Sequence, residues 1–408
     1  MSETFRLKDD LTTVQKLVKK NGSKIVLLVM DGLGGLPSQG GGLTELETAK
    51  TPNMDALAER GICGLHTLGP GITPGSGAAH LGLFGYDPFH YQVGRGVLAA
   101  LGIDFDLKDG DLAARGNFCT LTKDGLVSDR RAGRISTEKC QELCDLLKEI
   151  ELPEIEIFIQ PVKDYRFLLV LRGDGLSAEL SDTDPQDVGK KPLRPKALTD
   201  NALKAARLIE QFVEKARQIL KDQYPANMVL LRGFSMKPDW PTMQTAFGLN
   251  PAVIAGYPMY RGVAKLVGMK VRETGSELEQ EFQTLEKHWQ EHDFFFLHFK
   301  PIDSAGEDGD FDRKVELIEQ VDSYIPRLLN LKPDVVILTG DHSTPSVMKE
   351  HGWQPVPLVV WSRYCRPDQV KTFGERACIL GGLGPRLPAV HILPLALANA
   401  GRLFKYGA

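Results

Sequence analysis

The chain has 408 residues, of which 42% are hydrophobic and 25% charged, and its formal net charge is −4. This length exceeds one ordinary domain, so we expect two domains or one large domain with an insertion. The small negative charge creates no general field for nucleic acid or an anionic membrane, and neither is expected as a partner. The charged N-terminal segment lacks the apolar stretch of a signal peptide, which predicts a cytoplasmic protein.

Helical and strand-like patterns alternate along the chain. An amphipathic helix is predicted at about residues 7–18, before the first strand. Several strand-sized apolar runs are unbroken, which indicates strands buried on both faces. The predicted strands are residues 24–30, 167–171, 228–231, 252–255, 294–299, 335–339 and 356–360, and the main predicted helices are residues 198–220, 278–289 and 315–329. This alternation predicts an α/β layered fold with a largely parallel sheet.

The middle third of the chain differs from both flanks. It is richer in charged residues, polar turns and short strands. We therefore predict a first domain built from residues 1–105 and 241–408, and a smaller inserted α/β domain at residues 106–240.

Acidic and imidazole side chains follow three of the predicted buried strands. Asp31 follows the first, Asp303 follows residues 294–299, and Asp341 and His342 follow residues 335–339. Because ligands bind beyond the carboxyl ends of parallel strands, we expect these side chains to meet at one sheet edge. Loops could bring Glu307 and His351 to the same place.

Such a cluster requires cations. Four carboxylates at one edge would repel one another and remain desolvated unless metal ions lay among them. Oxygen-rich ligation with some imidazole favours Mn²⁺ or Mg²⁺, with Zn²⁺ or Co²⁺ as alternatives.

A glycine- and proline-rich loop at residues 69–80 surrounds Ser76, and a helix is predicted to begin at about residue 78. A hydroxyl beside helix-terminal N–H groups is well placed to meet a phosphate. Near divalent ions, a serine hydroxyl is deprotonated far below its normal pKa. Loops of this composition are commonly plain connections, so the prediction of a nucleophile depends on the metal ligands.

Basic residues suggest where an anionic substrate would bind. Residues 129–134 read Asp-Arg-Arg-Ala-Gly-Arg, and the more distant candidates are Arg172, Arg232, Arg261 and Lys265. Guanidinium groups match phosphate and carboxylate with paired hydrogen bonds. We therefore expect the inserted domain to hold the substrate.

Several segments together resemble the archaeal-type cofactor-independent phosphoglycerate mutases of the alkaline phosphatase superfamily. They occur in the expected order from about residue 24 to the C-terminus, at residues 31–35, 51–57, 73–77, 85–87, 129–134, 181–185, 256–262 and 340–345. The resemblance implies an alkaline-phosphatase-like domain with an inserted substrate domain. It also implies reversible interconversion of 3-phosphoglycerate and 2-phosphoglycerate in glycolysis and gluconeogenesis, through a phosphoserine intermediate and with two divalent metal ions.

Motif matching also implies individual roles. One metal centre would comprise Asp31, Ser76, Asp341 and His342, and the other would comprise Asp303, the residue at position 307 and His351. Ser76 would carry the phosphoryl group, and Asp129 would be a catalytic contact to the glycerate hydroxyl. The residues implied in substrate binding are His80, Arg131, Arg134, Arg261 and Lys265.

One position departs from the family pattern. The relatives carry Asp-x-x-x-His where this chain has Asp303-Ser-Ala-Gly-Glu307. A carboxylate in place of imidazole favours Mn²⁺ or Mg²⁺ over Zn²⁺, although it could equally weaken the second site. Two alternatives stay open: a phosphatase or phosphodiesterase of the same superfamily, and a non-catalytic binding protein on this fold. The oligomeric state is also left open.

Overall fold

The computed structural model describes residues 10–38 and 42–407. Part of the predicted first helix, residues 7–9, lies outside the described residues. The chain forms two compact units: unit 1 comprises Met1–Gln92 and Trp240–Ala408, and unit 2 comprises Val93–Asp239. The sequence predicted the first boundary between the two domains near residue 105. In the structure this boundary lies between Gln92 and Val93, before a helix at Arg95–Gly102 that packs on the unit 2 sheet.

The described residues contain thirteen strands. They are β1 (Ile25–Met30), β2 (Ile62–Thr67), β3 (Leu112–Leu121), β4 (Val127–Asp129), β5 (Glu156–Lys163), β6 (Arg166–Arg172), β7 (Met228–Ser235), β8 (Pro251–Ala255), β9 (Lys270–Val271), β10 (Phe294–Phe299), β11 (Val335–Thr339), β12 (Val356–Ser362) and β13 (Gly384–Pro388).

Fourteen α-helices accompany these strands in the same described ranges. They are α1 (Asp10–Leu17), α2 (Glu45–Thr48), α3 (Pro52–Arg60), α4 (Ser76–Leu83), α5 (Arg95–Gly102), α6 (Thr137–Leu147), α7 (Leu203–Leu220), α8 (Met243–Phe247), α9 (Pro258–Leu266), α10 (Leu278–His288), α11 (Pro301–Asp308), α12 (Phe311–Asn330), α13 (Glu375–Cys378) and α14 (Ile392–Asn399). None of them is both long enough and apolar enough to cross a membrane.

Unit 1 is built on an eight-stranded sheet with the order β13-β2-β12-β11-β1-β10-β8-β9. Five of its seven neighbouring pairs are parallel, and only β12 runs antiparallel to both of its neighbours. The predicted α/β fold with a largely parallel sheet is confirmed.

The central strands of this sheet end at the same level. β1 lies between β10 and β11, with Met30 opposite Phe299 and Val29 opposite Thr339. All residues of the three strands are buried, as expected for strands that are covered on both faces. The three segments that follow the strands therefore emerge side by side.

Unit 2 contains a five-stranded antiparallel sheet in which β4, β3, β6 and β5 follow one another and β7 also pairs with β3. Alternate side chains of β3, including Leu112, Ala114 and Phe118, join the core that is formed with α6 and α7. The opposite face carries Arg115, which lies directly across from Arg232 of β7.

Candidate functional site

The predicted acidic cluster forms at the carboxyl edge of the unit 1 sheet. Asp31 follows β1, Asp303 lies in the first turn of α11 after β10, and Asp341 and His342 follow β11. All four side chains are buried. The sequence therefore predicted correctly that these strand ends meet, because the register of β1, β10 and β11 aligns them.

Glycine is required where the loops of this site approach each other. Gly32 has φ +67°, and a Cβ there would lie 2.7 Å from both Asp303 Oδ1 and Thr344 Oγ1. A Cβ on Gly340 would lie 2.6 Å from the Cβ of Leu33. Only residues without a side chain let these loops pack closely enough to bring the carboxylates together.

The first group of possible metal ligands comprises Asp31, Asp341 and His342, whose ligand atoms lie within 4.8 Å of one another. His342 Nε2 is 3.4 Å from Asp31 Oδ1 and 3.3 Å from Asp341 Oδ2. Neither oxygen has a hydrogen-bond partner although both are buried. Ser76 Oγ lies 3.5 Å from the same imidazole nitrogen. These orphaned oxygens, an imidazole nitrogen and a hydroxyl are a donor set that fits a divalent cation.

The second group comprises Asp303, His342 and His351, again with ligand atoms within 4.8 Å of one another. His351 Nε2 is 3.7 Å from Asp303 Oδ1, and Nδ1 of the same ring lies 3.2 Å from the carbonyl oxygen of Pro74. A ring that donates from Nδ1 to a carbonyl presents Nε2 as a ligand, the usual arrangement of metal-binding histidine.

Glu307 lies at the margin of this second group. Its Oε1 is 4.0 Å from His351 Nε2, and its side chain is 53% exposed. It is absent from the compact ligand set that contains Asp303 and His351. The compact second group therefore consists of Asp303, His342 and His351, with Glu307 beside His351.

The pKa values of the buried carboxylates are shifted in opposite directions. Burial opposes ionisation of Asp31, but the Lys300 ammonium and His298 outweigh it and hold the pKa of Asp31 well below its usual range. Burial and the neighbouring carboxylates of Asp31 and Asp303 raise the pKa of Asp341. Burial also lowers the pKa of His342 to about 4, so its imidazole is neutral near pH 7. Neutral imidazole is the form that binds metal.

Three residues outside the predicted site list contact Asp31. The hydroxyl of Tyr260 donates to Asp31 Oδ2, and His298 Nε2 and Lys300 Nζ lie 3.3 Å and 3.4 Å from the same oxygen. Lys300 also pairs closely with Asp303. Of these three contacts, His298 could have been found from the sequence, since it is the only polar residue of the apolar strand β10.

Ser76 is the first residue of α4, after the N-cap Gly75. His80, one turn further along, is fully buried, and its Nδ1 donates to the carbonyl oxygen of Ser76 at 2.7 Å. The ring packs against Tyr260 and His298. In this position His80 supports the turn that carries Ser76. The substrate contact that the resemblance implied for His80 stays a prediction.

The remaining predicted residues fall in both units. Arg261 and Lys265 lie one turn apart on α9, the helix that also carries Tyr260. In unit 2, Arg131 and Arg134 are exposed. The carboxylate of Asp129 accepts the backbone N–H groups of Arg131 and Gly133, so it shapes the turn that presents the two arginines.

A further basic cluster in unit 2 contains Arg130 and Arg232, which the sequence predicted as anion-binding candidates, together with Arg115, which it did not. Arg130 binds the buried carboxylate of Asp184 through two hydrogen bonds, and Arg232 Nη1 lies 3.6 Å from it. Burial and the guanidinium groups of Arg95 and Arg232 lower the pKa of Arg115 to about 9. Like charges directly opposite on neighbouring strands are destabilising, so this face favours an anion. Arg115 was not predicted because its pairing with Arg232 across two strands cannot be read from residue spacing.

Fold and site together define the class: an α/β protein with a candidate metal site of carboxylates and imidazoles at the carboxyl edge of a largely parallel sheet, beside a serine that begins a helix. Residues 58–227 match the family model of 2,3-bisphosphoglycerate-independent phosphoglycerate mutase. The chain belongs to this family, since probable members from Aquifex aeolicus and Thermus thermophilus are 51% and 48% identical to it. Each match covers 98% of this chain and 100% of the relative.

Solved structures agree with this placement. A protein from Pyrococcus horikoshii is 31% identical, with a TM-score of 0.81 over 96% of this chain and 100% of its own. The cofactor-independent phosphoglycerate mutase from Thermoplasma acidophilum is 28% identical, with a TM-score of 0.68 over 93% of this chain and 100% of its own.

Proposed function

We propose that this protein interconverts 3-phosphoglycerate and 2-phosphoglycerate through a phosphoserine at Ser76. The observation that carries the proposal is the convergence of Ser76 Oγ and the unpartnered oxygens of Asp31 and Asp341 on Nε2 of His342. Family membership supports the same substrate class. A role in glycolysis and gluconeogenesis would place the protein in the cytoplasm.

Two divalent cations, Mn²⁺ or Mg²⁺, are part of this proposal. Asp31, Ser76, Asp341 and His342 would hold one, and Asp303 and His351 would hold the other, with Glu307 as a third ligand. Bound cations would lower the pKa of the serine hydroxyl and neutralise charge on the phosphoryl oxygens. Oxygen donors outnumber nitrogens in this set, which favours hard cations.

The transfer itself needs alignment more than covalent help from the protein. Ser76 Oγ attacks the phosphorus of 3-phosphoglycerate, the phosphorus bond to the substrate oxygen breaks, and that oxygen takes the proton that the serine gives up. Glycerate then reorients, its C2 oxygen attacks the phosphoserine, and the C2 hydroxyl proton returns to Ser76. No phosphate is released at any stage.

Basic side chains would hold the anionic groups of glycerate and phosphate during reorientation. Arg261, Lys265, Arg131 and Arg134 are proposed for this role, and the arginine pair Arg115 and Arg232 supports an anion at unit 2. Asp129 accepts one backbone N–H on each carboxylate oxygen, and a remaining lone pair would accept the glycerate hydroxyl.

The decisive experiment separates transfer from hydrolysis. Purified protein is stripped with a chelator, reloaded with Mn²⁺ and incubated with 3-phosphoglycerate, while 2-phosphoglycerate and free phosphate are followed together. We expect 2-phosphoglycerate without stoichiometric phosphate, and no turnover in the stripped protein. Release of free phosphate alone would identify a phosphatase of the same fold, and no reaction with any of the proposed metals would favour a binding protein.

A further inference from the structure

The hydroxyl of Thr344 lies between a ligand of the first group and a ligand of the second. Its Oγ1 is 2.5 Å from Asp303 Oδ1 and 3.1 Å from His342 Nδ1. His342 Nδ1 and Asp303 Oδ1 are themselves 4.0 Å apart, too far for a direct hydrogen bond. Thr344 is fully buried, so water cannot replace it without rearrangement.

The direction of these two hydrogen bonds follows from the number of protons. A hydroxyl has one proton to donate, and an ionised carboxylate paired with an ammonium, as Asp303 is with Lys300, can only accept. Thr344 therefore donates to Asp303 and accepts from His342 Nδ1–H. A neutral imidazole with its proton on Nδ1 leaves the lone pair of Nε2 available, and Nε2 is the atom that faces Asp31, Asp341 and Ser76.

The backbone of Thr344 is fixed on several sides, so its hydroxyl has a defined position. Its N–H donates to the carbonyl oxygen of Gly34 at 3.0 Å, and its own carbonyl accepts from the buried ammonium of Lys314 at 2.9 Å. A Cβ at Gly306 would lie 2.2 Å from that carbonyl oxygen. α11, α12 and the loop after β1 thus hold this residue between them.

We propose that Thr344 is a positioning residue that joins the two metal groups, because one hydroxyl both sets the tautomer of His342 and orients the carboxylate of Asp303. The inference rests on the metal-dependent function proposed above and deepens it. Because Nδ1 of His342 is hydrogen-bonded to Thr344, this imidazole can bind a cation of the first group through Nε2. It is then not a ligand of the second group. Both sites then depend on a residue that is a ligand in neither.

The test compares Thr344→Val with Thr344→Ser in the full chain, after metal removal. Mn²⁺ binding is measured by calorimetry and the thermal midpoint of each stripped protein is recorded. Loss of an outer hydrogen-bond partner typically costs about 10- to 100-fold in metal affinity, and we expect Thr344→Val to weaken both binding events by about this factor. Thr344→Ser keeps the hydroxyl and should remain within about 3-fold of the parent, well below that loss.

Thr44→Val is the matched control for simple loss of stability. Thr44 is also buried. Its hydroxyl donates to the carboxylate of Glu375 and accepts the backbone N–H of Glu47, and neither partner is a candidate metal ligand. It should lower the thermal midpoint and leave Mn²⁺ affinity unchanged. Unaltered binding in Thr344→Val, weakening of one event only, or failure of the serine to restore affinity would overturn the inference while the proposed reaction stands. Absence of Mn²⁺ binding in the parent protein would overturn both.

Discussion

At the scale of single residues, Ser76 lies both at a helix N-terminus and beside the acidic cluster. It is the first residue of α4, where backbone N–H groups of the helix point outward, and its Oγ is 3.5 Å from an imidazole nitrogen of the acidic cluster. A phosphate at this position would meet both the helix N-terminus and any bound cation.

Ser76→Ala tests whether this hydroxyl carries the phosphoryl group. The side chain is small and partly exposed, so we expect the variant to fold with an unchanged thermal midpoint while interconversion of the phosphoglycerates is lost. Mass spectrometry of the parent protein after incubation with substrate should show a phosphate on the peptide that contains residue 76. Substantial turnover by the alanine variant would exclude the phosphoserine route.

Residues adjacent to buried strands were predictable, and residues that act across loops were not. Asp31, Asp303 and Asp341 follow apolar strands closely, so their meeting could be inferred from the rule for parallel sheets. Tyr260 and Thr344 reach the same carboxylates from α9 and from the loop before His351. No spacing in the sequence encodes these contacts, because they depend on the packing of helices against the sheet.

At the scale of elements, unbroken apolar runs identified the buried strands of unit 1. The strands β10 and β11 begin and end as predicted, because burial on both faces favours apolar residues along their whole length. β3 was missed since one of its faces is charged and its sequence includes Gly116 and Asn117. α7 begins at Leu203 rather than residue 198 because residues 200–202 form a 3₁₀ turn.

α13 is hydrogen-bonded to the segment that follows β1. This contact makes the free energy of unfolding depend on pH. Glu375, the first residue of α13, accepts the N–H of Gly35 and the hydroxyl of Thr44. Burial raises the pKa of Glu375 to about 7 from 4.5. The folded protein therefore holds this proton more tightly than the unfolded chain, and stability falls as pH rises from about 4.5 to about 7.

Glu375→Gln should remove this dependence. A shift of this size corresponds to about 3 kcal/mol, so the stripped parent should lose stability between about pH 4.5 and 7 relative to the variant. Unfolding midpoints of both proteins measured across this range give the difference directly. Glu316→Gln, which changes an exposed glutamate of α12, is the control and should run parallel to the parent. Parallel profiles for the parent and Glu375→Gln would contradict the prediction.

At the scale of the whole molecule, candidate metal ligands and the exposed arginine turn fall in different units. The ligand groups lie in unit 1, and unit 2 presents Arg131 and Arg134 on a turn shaped by Asp129. If this division reflects separate tasks, metal binding and substrate affinity should respond to different substitutions.

Arg134→Ala tests the separation. The loss of one guanidinium contact to an anionic substrate should raise KM by about 10-fold or more, the equivalent of a charge-assisted hydrogen bond of roughly 1.5–3 kcal/mol, without changing Mn²⁺ stoichiometry. Arg194→Ala, at an 87% exposed arginine of the same unit, should leave both quantities unchanged. Equal KM values for Arg134→Ala and the parent would remove this arginine from the substrate site.

The position of β1 has a consequence for biosynthesis. This strand is translated before unit 2, yet both of its hydrogen-bonding neighbours, β10 and β11, are translated only after the whole of unit 2. Unit 2, whose strands are contiguous in the chain, can fold in the interval, whereas β1 must wait with an apolar, unpaired backbone. Nascent chains stalled before residue 335 should therefore depend on chaperones that shield exposed strands.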